Sequence, residues 1–175
     1  MSTARYATVA TPPGPFTVVV TTGTDGADVV LASGWTDDVA DLVPVVHRSL
    51  RPDGLEHAET LPVLDVVTAF GDGDLAAIDA VRVQQRSGPF LTDAWEGLRT
   101  VPPGEPDTYA GFAARCGRPA AVRAAAGACA RNAAALFVPC HRVLGSDGGL
   151  GGFRWGTPVK RWLLDHETEH APLAA

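Results

Sequence analysis

The segment NAAALFVPCHRV, residues 132–143, decides what kind of fold and chemistry this chain has. Its apolar run Leu136–Val138 predicts a short buried strand. Cys140 follows Pro139 at the end of that strand, so we expect its thiol to lie partly out of water. Because burial raises the pKa of a thiol and makes it a weak nucleophile, a reactive Cys140 needs a nearby base. His141 is the obvious candidate.

The adjacency of Cys140 and His141 constrains how such a base could act. Neighbouring residues of an extended chain point to opposite faces, so the two side chains cannot easily form the direct pair of a cysteine protease. A bridging water, or a bend at Pro139, would bring the imidazole to the thiol. His141 would also need an orienting carboxylate from a distant part of the chain. The residues alone leave a second interpretation open, in which Cys140 is a small apolar core residue.

The residues upstream predict two helices joined by a glycine turn. Thr108 is a suitable N-cap for a helix over 109–115, and Cys116–Pro119 predicts the turn. The segment Ala120–Arg131 predicts a second helix whose exposed face is almost all Ala and Gly, with Arg123 as its one long side chain. This order is typical of a helix-turn-helix, although any pair of packed helices would give the same pattern.

The rest of the chain predicts a meander rich in Val and Thr, followed by helices. The predicted elements are strands over 4–11, 15–22 and 27–33, a helix from a Thr36–Asp38 cap to about Leu50, and helices over 61–70 and 90–98. The stretch 75–83 is ambiguous and could be a returning strand.

Charge is distributed unevenly along a chain whose formal net charge is −6. Residues 1–87 hold 5 Lys/Arg and 12 Asp/Glu, a balance of −7, whereas residues 88–175 hold 9 and 8, a balance of +1. Five arginines and no acidic residue lie between Asp107 and Asp147. A nucleic-acid surface needs a local excess of positive charge, although a solvated arginine face gives the same count. The modest excess predicts weak, salt-sensitive and largely non-specific DNA affinity.

Cysteine usage and hydropathy argue against several classes of protein. The 3 cysteines are an odd count without paired spacing, which favours a reducing cytosol over a disulfide scaffold. No Cys/His cluster has the spacing of zinc ligands, so we expect no metal. No stretch approaches the roughly 18 apolar residues of a membrane helix, and the N-terminus has no apolar signal-peptide core. We therefore expect a cytoplasmic protein with no membrane partner.

Asn132 and the run Pro139–Val143 together resemble the active-site signature of the O6-alkylguanine-DNA alkyltransferases, also called methylated-DNA–protein cysteine methyltransferases. Similar matches run in register over roughly residues 89 to 167, while the first 85 residues match only weakly. The matching positions are Thr108-Tyr109, Ala121–Ala124, Gly148, Gly151, Phe153–Gly156, Lys160 and Trp162–Glu167.

This resemblance implies an α+β protein in two parts. Residues 1–85 would form an N-terminal, RNase H-like antiparallel sheet with helices. After a linker at 86–88, residues 89–170 would form a mainly helical, winged helix-turn-helix-like domain that binds DNA and carries the alkyl acceptor. Residues 171–175 would be a tail.

The resemblance also implies a reaction. The alkyl group of O6-alkylguanine, and of O4-alkylthymine, would pass from a flipped base in double-stranded DNA to Cys140 in one irreversible, stoichiometric step without a cofactor. A monomer would place its second helix in the minor groove. The implied catalytic residues are Cys140, His141, Glu167 and Asn132. The implied DNA or base contacts are Tyr109, Arg123, Ala124, Ala126, Arg131, Arg142, Val143, Phe153, Arg154 and Lys160.

Several of these assignments have a plainer alternative. Arg123 would fill the place of the flipped base, but it could be a surface arginine that binds phosphate. Tyr109 would donate its hydroxyl to the base, but it could be a half-buried core tyrosine. Glu167 would orient His141, although by itself it is typical of an exposed acid near a helix end. Lys160 could equally be an exposed helix residue.

The chain also departs from the family pattern at several positions. Ala125–Ala126 stand where Val-Gly is usual, Ala133 and Ala135 stand where proline occurs in members, and Phe153 replaces a common tyrosine. Two other functions therefore stay open. One is a sensor that binds alkylated bases with weak or no transfer, and the other is a Cys-His-Glu thiol hydrolase.

Overall fold

The structure, a computed structural model that describes residues 2–173, is built on a four-stranded sheet. Its strands are β1 (Thr3–Thr11), β2 (Gly14–Thr22), β3 (Asp28–Gly34) and β4 (Gly54–His57), in the order β3-β2-β1-β4. The strands β1, β2 and β3 pair antiparallel, whereas β4 runs parallel to β1. The three strands predicted from Val- and Thr-rich runs are confirmed.

The central strand β2 is buried on both faces of the sheet. Val18 and Val20 belong to the main core, whereas Val19 points to a smaller core on the opposite face. Such a strand is expected to be continuously apolar. No pattern in the sequence predicts β4, because this strand of 4 residues contains a single large apolar side chain, Leu55.

The helix predicted from Thr36 to Leu50 is wrong. Two short 3-10 helices, Val39–Asp41 and Val43–Val45, occupy this stretch instead. Pro44 has no N–H and its ring obstructs a continuing α-helix, so the chain turns rather than winds. The ambiguous stretch 75–83 also begins as a 3-10 helix, Leu75–Ala80, and a single bridge between Val83 and Val30 follows it.

Five α-helices complete the described part of the chain, residues 2–173. They are α1 (Pro62–Gly71), α2 (Pro89–Leu98), α3 (Tyr109–Arg115), α4 (Val122–Ala130) and α5 (Thr157–His170). The short strands β5 (Asp107–Thr108) and β6 (Val143–Leu144) pair in parallel. The Thr108 hydroxyl accepts from the backbone N–H of Gly111 at 3.0 Å, which confirms the predicted cap of α3.

The predicted strand Leu136–Val138 is wrong, because the chain turns back on itself between α4 and Cys140. Leu136 has a φ of +74° in the left-handed region, and the Val138 N–H donates to the Ala134 carbonyl at 2.9 Å. The whole apolar run is nevertheless buried in the main core. Apolar runs of this length predict burial but do not distinguish a strand from another buried conformation.

The two halves of the chain share one core. Phe16 of β2 packs edge-on against Phe137, with ring centroids 6.0 Å apart. The Ser33 hydroxyl of β3 donates to the Ala135 carbonyl at 2.7 Å, and the Ser33 N–H donates to the Ala133 carbonyl at 2.9 Å. The sheet thus supports the turn that leads to Cys140, and the fold is the predicted α+β class. Among residues 2–173, no helix is long and apolar enough to span a membrane.

Replacing Phe137 by Ala is expected to lower the free energy of unfolding by about 3–5 kcal/mol, because the side chain is fully buried and would leave a cavity. Phe137→Leu, which retains part of the apolar volume, should cost clearly less. Urea unfolding followed by circular dichroism measures both effects. Equal stability of wild type and Phe137→Ala would contradict the shared core.

Candidate active site

A pocket of about 430 Å³ lies between α4, the 3-10 turn Cys140–Arg142 and the loop that precedes α5. The residues that line it come from these elements, from the segment between α4 and the 3-10 turn, from α5 and from the start of α3. They are Tyr109, Ala126, Cys129, Ala130, Asn132, Ala135, Cys140, Gly152, Phe153, Arg154, Trp155 and Lys160. Seven of the predicted site residues thus meet around one space: Tyr109, Ala126, Asn132, Cys140, Phe153, Arg154 and Lys160.

Cys140 is the first residue of the 3-10 turn and is only 9% exposed. Burial raises the pKa of its thiol, and this effect outweighs the opposing influences of Asn132 and the Lys160 charge. The thiol is therefore protonated at neutral pH and needs a base before it can act as a nucleophile. The expected partly dehydrated position of the thiol is found, although on a turn rather than at a strand end.

The imidazole of His141 is completely buried and oriented by a carboxylate. Its Nε2 lies 2.8 Å from Oε1 of Glu167, and its Nδ1 has no protein hydrogen-bond partner among the described residues. A carboxylate accepts only, so Nε2 carries the hydrogen and Nδ1 presents a lone pair. His141 is thus prepared to accept a proton at Nδ1. The expected contact between His141 and Glu167, 26 residues apart, is present.

Arg142 donates to the same carboxylate, so its side chain is buried rather than exposed as the predicted DNA contact would require. Its Nε donates to Glu167 Oε1 at 3.0 Å, its Nη2 donates to the same oxygen at 2.9 Å, and its Nη1 donates to the Val101 carbonyl at 2.8 Å. The side chain is 3% exposed. A guanidinium held in this way cannot reach DNA, and the sequence motif carries no sign of its burial.

Glu167 is fully buried, yet it stays ionised. Burial alone would raise its pKa, but the electrostatic interaction with His141 and the hydrogen bonds from His141 and Arg142 outweigh that effect and lower the pKa to about 2. The alternative of an exposed acid at a helix end is therefore excluded. The group formed by His141, Arg142 and Glu167 is called the Glu167 cluster below.

Asn132 braces the turn that leads into the site. Its Nδ2 donates to the Val138 carbonyl at 2.7 Å, and its Oδ1 accepts from the Ala134 N–H at 3.1 Å. The same oxygen accepts from Nε2 of Gln85 at 3.0 Å, while Oε1 of Gln85 accepts from the Ala133 N–H at 2.8 Å. Sequence reasoning missed Gln85, because the polar residues around it, just before the linker, give no sign of this contact.

Lys160 is buried rather than exposed on α5. Its Nζ donates to the Val143 carbonyl at 2.7 Å and to the Leu150 carbonyl at 2.6 Å, and it lies 5.9 Å from the ring centroid of Phe153. Burial lowers its pKa. Its charge favours a thiolate at Cys140, and its two hydrogen bonds hold the loop before α5 against β6. The Val143 carbonyl thus already accepts one hydrogen bond from within the protein.

Tyr109 begins α3 and lines the pocket beside the thiols. Burial raises the pKa of its phenol, and the neighbouring Cys129 and Cys140 add to the effect. The hydroxyl therefore stays protonated and can donate to a ligand. Gly151, at a φ of +66°, brings the loop so close that a Cβ there would lie 3.4 Å from this hydroxyl.

The predicted contacts of α4 do not all reach the pocket. Arg123, Ala124 and Arg131 are exposed on α4 or at its C-terminal end, outside the pocket. Ala126 lines the pocket, and Arg154 both lines it and donates to the Ala130 carbonyl at 3.0 Å. The exposed side of α4 is thus a surface distinct from the pocket, which holds the reactive side chains.

Two further pocket residues were not predicted. Cys129 contributes a second thiol, whose pKa burial raises well above its usual range. Trp155 was seen only as part of the matching segment, and in the structure its indole ring lies where a Cβ on Gly34 of β3 would have to be. No pattern in the sequence reveals this contact, because it joins residues more than a hundred positions apart.

A two-helix unit beside a pocket lined by a buried thiol, with an imidazole oriented by a carboxylate next to it in the chain, is typical of a protein that acts through a cysteine nucleophile. The family model for the 6-O-methylguanine DNA methyltransferase DNA-binding domain matches residues 89–169. The methylated-DNA–protein-cysteine methyltransferase of Salmonella typhimurium is 35% identical over 162 residues, which span 91% of this chain and 92% of that protein. The chain therefore belongs to the methylated-DNA–protein-cysteine methyltransferase family.

Solved structures agree with this assignment. The crystal structure of the Mycobacterium tuberculosis O6-methylguanine methyltransferase has a TM-score of 0.73 and 28% identity, and the match covers 99% of this chain and 97% of that one. The M. tuberculosis OGT in complex with DNA has a TM-score of 0.74 and 29% identity, with 97% and 96% covered. The predicted family and fold are thus confirmed.

Replacing Glu167 by Gln is expected to lower the free energy of unfolding at neutral pH by about 3–5 kcal/mol, because Arg142 would stay buried without a charged partner. The wild type should also lose stability in acid. The pKa of Glu167 falls from 4.5 to about 2 on folding, so its contribution is complete above the higher value and disappears as the pH falls toward the lower one.

Urea unfolding at a series of pH values measures both effects. Glu169→Gln, an exposed change on the same helix, is the matched control and should behave like the wild type. If Glu167→Gln were as stable as Glu169→Gln at neutral pH, the Glu167 cluster would not hold the site together.

Proposed function

We propose that this chain repairs alkylated DNA by moving the alkyl group of O6-alkylguanine, and of O4-alkylthymine, irreversibly onto Sγ of Cys140. The arrangement that carries the proposal is the buried Cys140 thiol next to His141 and Glu167, in a pocket that opens beside α4. Family membership supports the same reaction, since relatives over most of the chain are named methylated-DNA–protein-cysteine methyltransferases.

The proton of the thiol must leave before attack. Glu167 accepts from Nε2 of His141, so the lone pair of Nδ1 takes the proton from Cys140 through a bridging water. The thiolate then attacks the alkyl carbon in line. The S–C bond forms as the C–O6 bond breaks, and guanine keeps the electron pair of the broken bond.

The departing guanine needs a proton in return. Tyr109 is positioned to donate its proton, because its hydroxyl lines the pocket and its raised pKa keeps it protonated. The phenolate that remains then recovers, through solvent, the proton that His141 took from Cys140. A donor aimed at the developing charge stabilises the transition state. Lys160 adds a positive charge that favours the thiolate before attack.

The product is a thioether, which ends the activity of the molecule. A carbon–sulfur bond of this kind offers no carbonyl or phosphoryl group for water to attack, and burial keeps the second thiol of the pocket, Cys129, protonated and therefore a weak nucleophile. Each chain therefore reacts once, and the reaction uses no cofactor.

A base inside a duplex cannot reach Cys140, so the lesion must leave the stack. Ala124 and Ala126 make the exposed side of α4 narrow enough to approach the minor groove closely, and Ala126 stands at the mouth of the pocket. Arg123, exposed on the same helix, fills the place of the flipped base. We propose that the chain does this as a monomer.

A sensor of alkylated bases is the second candidate, and two pocket residues favour it. Phe153 lacks the hydroxyl of the family's usual tyrosine, which removes one hydrogen-bonding group from the pocket wall. Ala126 adds a methyl group where glycine is usual, at the surface that approaches DNA. Either change could leave lesion binding intact while slowing transfer.

Incubation with a duplex that contains one O6-methylguanine is expected to add the mass of one methyl group per chain, on the peptide that contains Cys140. Cys140→Ala should gain nothing. Cys129→Ala is the matched control, because Cys129 is a second thiol in the same pocket and its loss should leave the methyl uptake unchanged. Intact-mass and peptide mass spectrometry measure the product.

The other outcomes separate the alternatives. Lesion-selective binding without any mass gain would support the sensor and contradict transfer. Repeated turnover of an activated ester without DNA dependence would support a thiol hydrolase.

Replacing Arg123 by Ala is expected to slow transfer from duplex DNA by about 10- to 100-fold, because unstacking a base costs a few kcal/mol that an inserted side chain offsets. Transfer from free O6-methylguanine nucleoside should be unchanged. Arg118→Ala, an exposed arginine in the turn between α3 and α4, is the control. Equal losses in the two variants on duplex DNA would show that Arg123 only binds phosphate. Single-turnover kinetics with both substrates provide the rates.

A further inference from the structure

A second cleft of about 480 Å³ lies at the boundary between the two halves of the chain, on the side of the linker. Five of the chain's 13 arginines line it, together with His47, and none of its lining residues is acidic. The arginines are Arg48, Arg51, Arg86, Arg131 and Arg154. This concentration contrasts with the net charge of −6 and with the −7 balance of residues 1–87, which supply three of the five.

The guanidinium groups in this cleft are available to an anionic ligand. All five arginines are exposed, and within residues 2–173 none of them forms an ion pair with a carboxylate. Arg51 donates to the Val46 and Pro44 carbonyls at 3.0 Å, and Arg86 donates to the Ser49 hydroxyl at 3.3 Å. These contacts position the side chains but leave their charge uncompensated.

The cleft adjoins the candidate active site. Arg154 lines both spaces, and its hydrogen bond to the Ala130 carbonyl fixes it at the C-terminal end of α4. Arg131 follows α4 directly. A strand of DNA that presents its base to the pocket would therefore bring neighbouring phosphates toward this cleft.

We propose that the cleft is a second phosphate-binding site, which holds the phosphodiester backbone of the duplex beyond the segment covered by α4. Arg131 and Arg154 contact the part nearest the lesion, and Arg48 and Arg86 contact the part farther along the backbone. Arginine suits this role because its planar donors pair with phosphate oxygens. The acidic N-terminal half thereby takes part in DNA binding. The proposal rests on the proposed function, since its ligand is the same duplex.

The double variant Arg48→Gln/Arg86→Gln tests the proposal. Each lost phosphate contact should reduce the slope of log affinity against log salt by about 1, so the pair should reduce it by about 2. Affinity for undamaged duplex should fall about tenfold near 0.1 M salt. Arg82→Gln/Arg161→Gln removes the same charge outside both spaces and should change the slope far less.

Duplex length provides a second measurement. Shortening the duplex on the side of the lesion that would reach the cleft should abolish the difference in affinity between wild type and the Arg48/Arg86 variant. Shortening the duplex on the other side should leave that difference unchanged. A loss of affinity that is independent of duplex length, or a salt slope equal to that of the control variant, would overturn the proposal.

Two controls separate this inference from the proposed function. Methyl transfer from free O6-methylguanine nucleoside should be unchanged in the Arg48/Arg86 variant, because that substrate does not reach the cleft. One outcome is that the wild-type protein accepts the methyl group and binds duplex while the Arg48/Arg86 variant shows the wild-type slope of log affinity against log salt. In that case only the cleft proposal fails. If wild type neither accepts the methyl group nor binds duplex, both proposals fail.

Discussion

The buried carboxylate of Glu167 is the interaction on which the geometry of the site depends. It ties α5 to the 3-10 turn of Cys140 by accepting from His141 and Arg142, and Arg142 extends the connection to the Val101 carbonyl beyond α2. Removing such charges from water is unfavourable unless each is paired and hydrogen-bonded, as they are here. The same contacts that satisfy the carboxylate fix the tautomer of the base.

The N-terminal half supports this arrangement through the turn that follows α4. Ser33 holds the backbone of the turn from β3, and Gln85, the residue before the linker, also holds it while bonding Asn132. Asn132 then secures the Val138 carbonyl, two residues before Cys140. The position of the thiol is therefore set from both halves, which share the main core rather than having a separate core each.

Local patterns predicted the elements whose formation depends on near neighbours, and they failed where distant contacts decide. The first three strands and the Thr108 cap were correct, since alternation and capping act within a few residues. The run Leu136–Val138 was predicted as a strand but forms a buried turn, because burial alone does not determine backbone conformation. Arg142 was predicted to bind DNA, yet a motif does not reveal which of its side chains faces inward.

The sequence by itself predicted the α+β class and the family, and it singled out Cys140 and His141 as the candidate thiol and base, because these follow from residue types at short spacing. Only the tertiary structure decided that Glu167 reaches His141, that Lys160 is buried, and that arginines from both halves line a single cleft. The physical reason is that burial and ion pairing depend on long-range packing. No local sequence pattern indicates that two residues far apart in the chain are in contact.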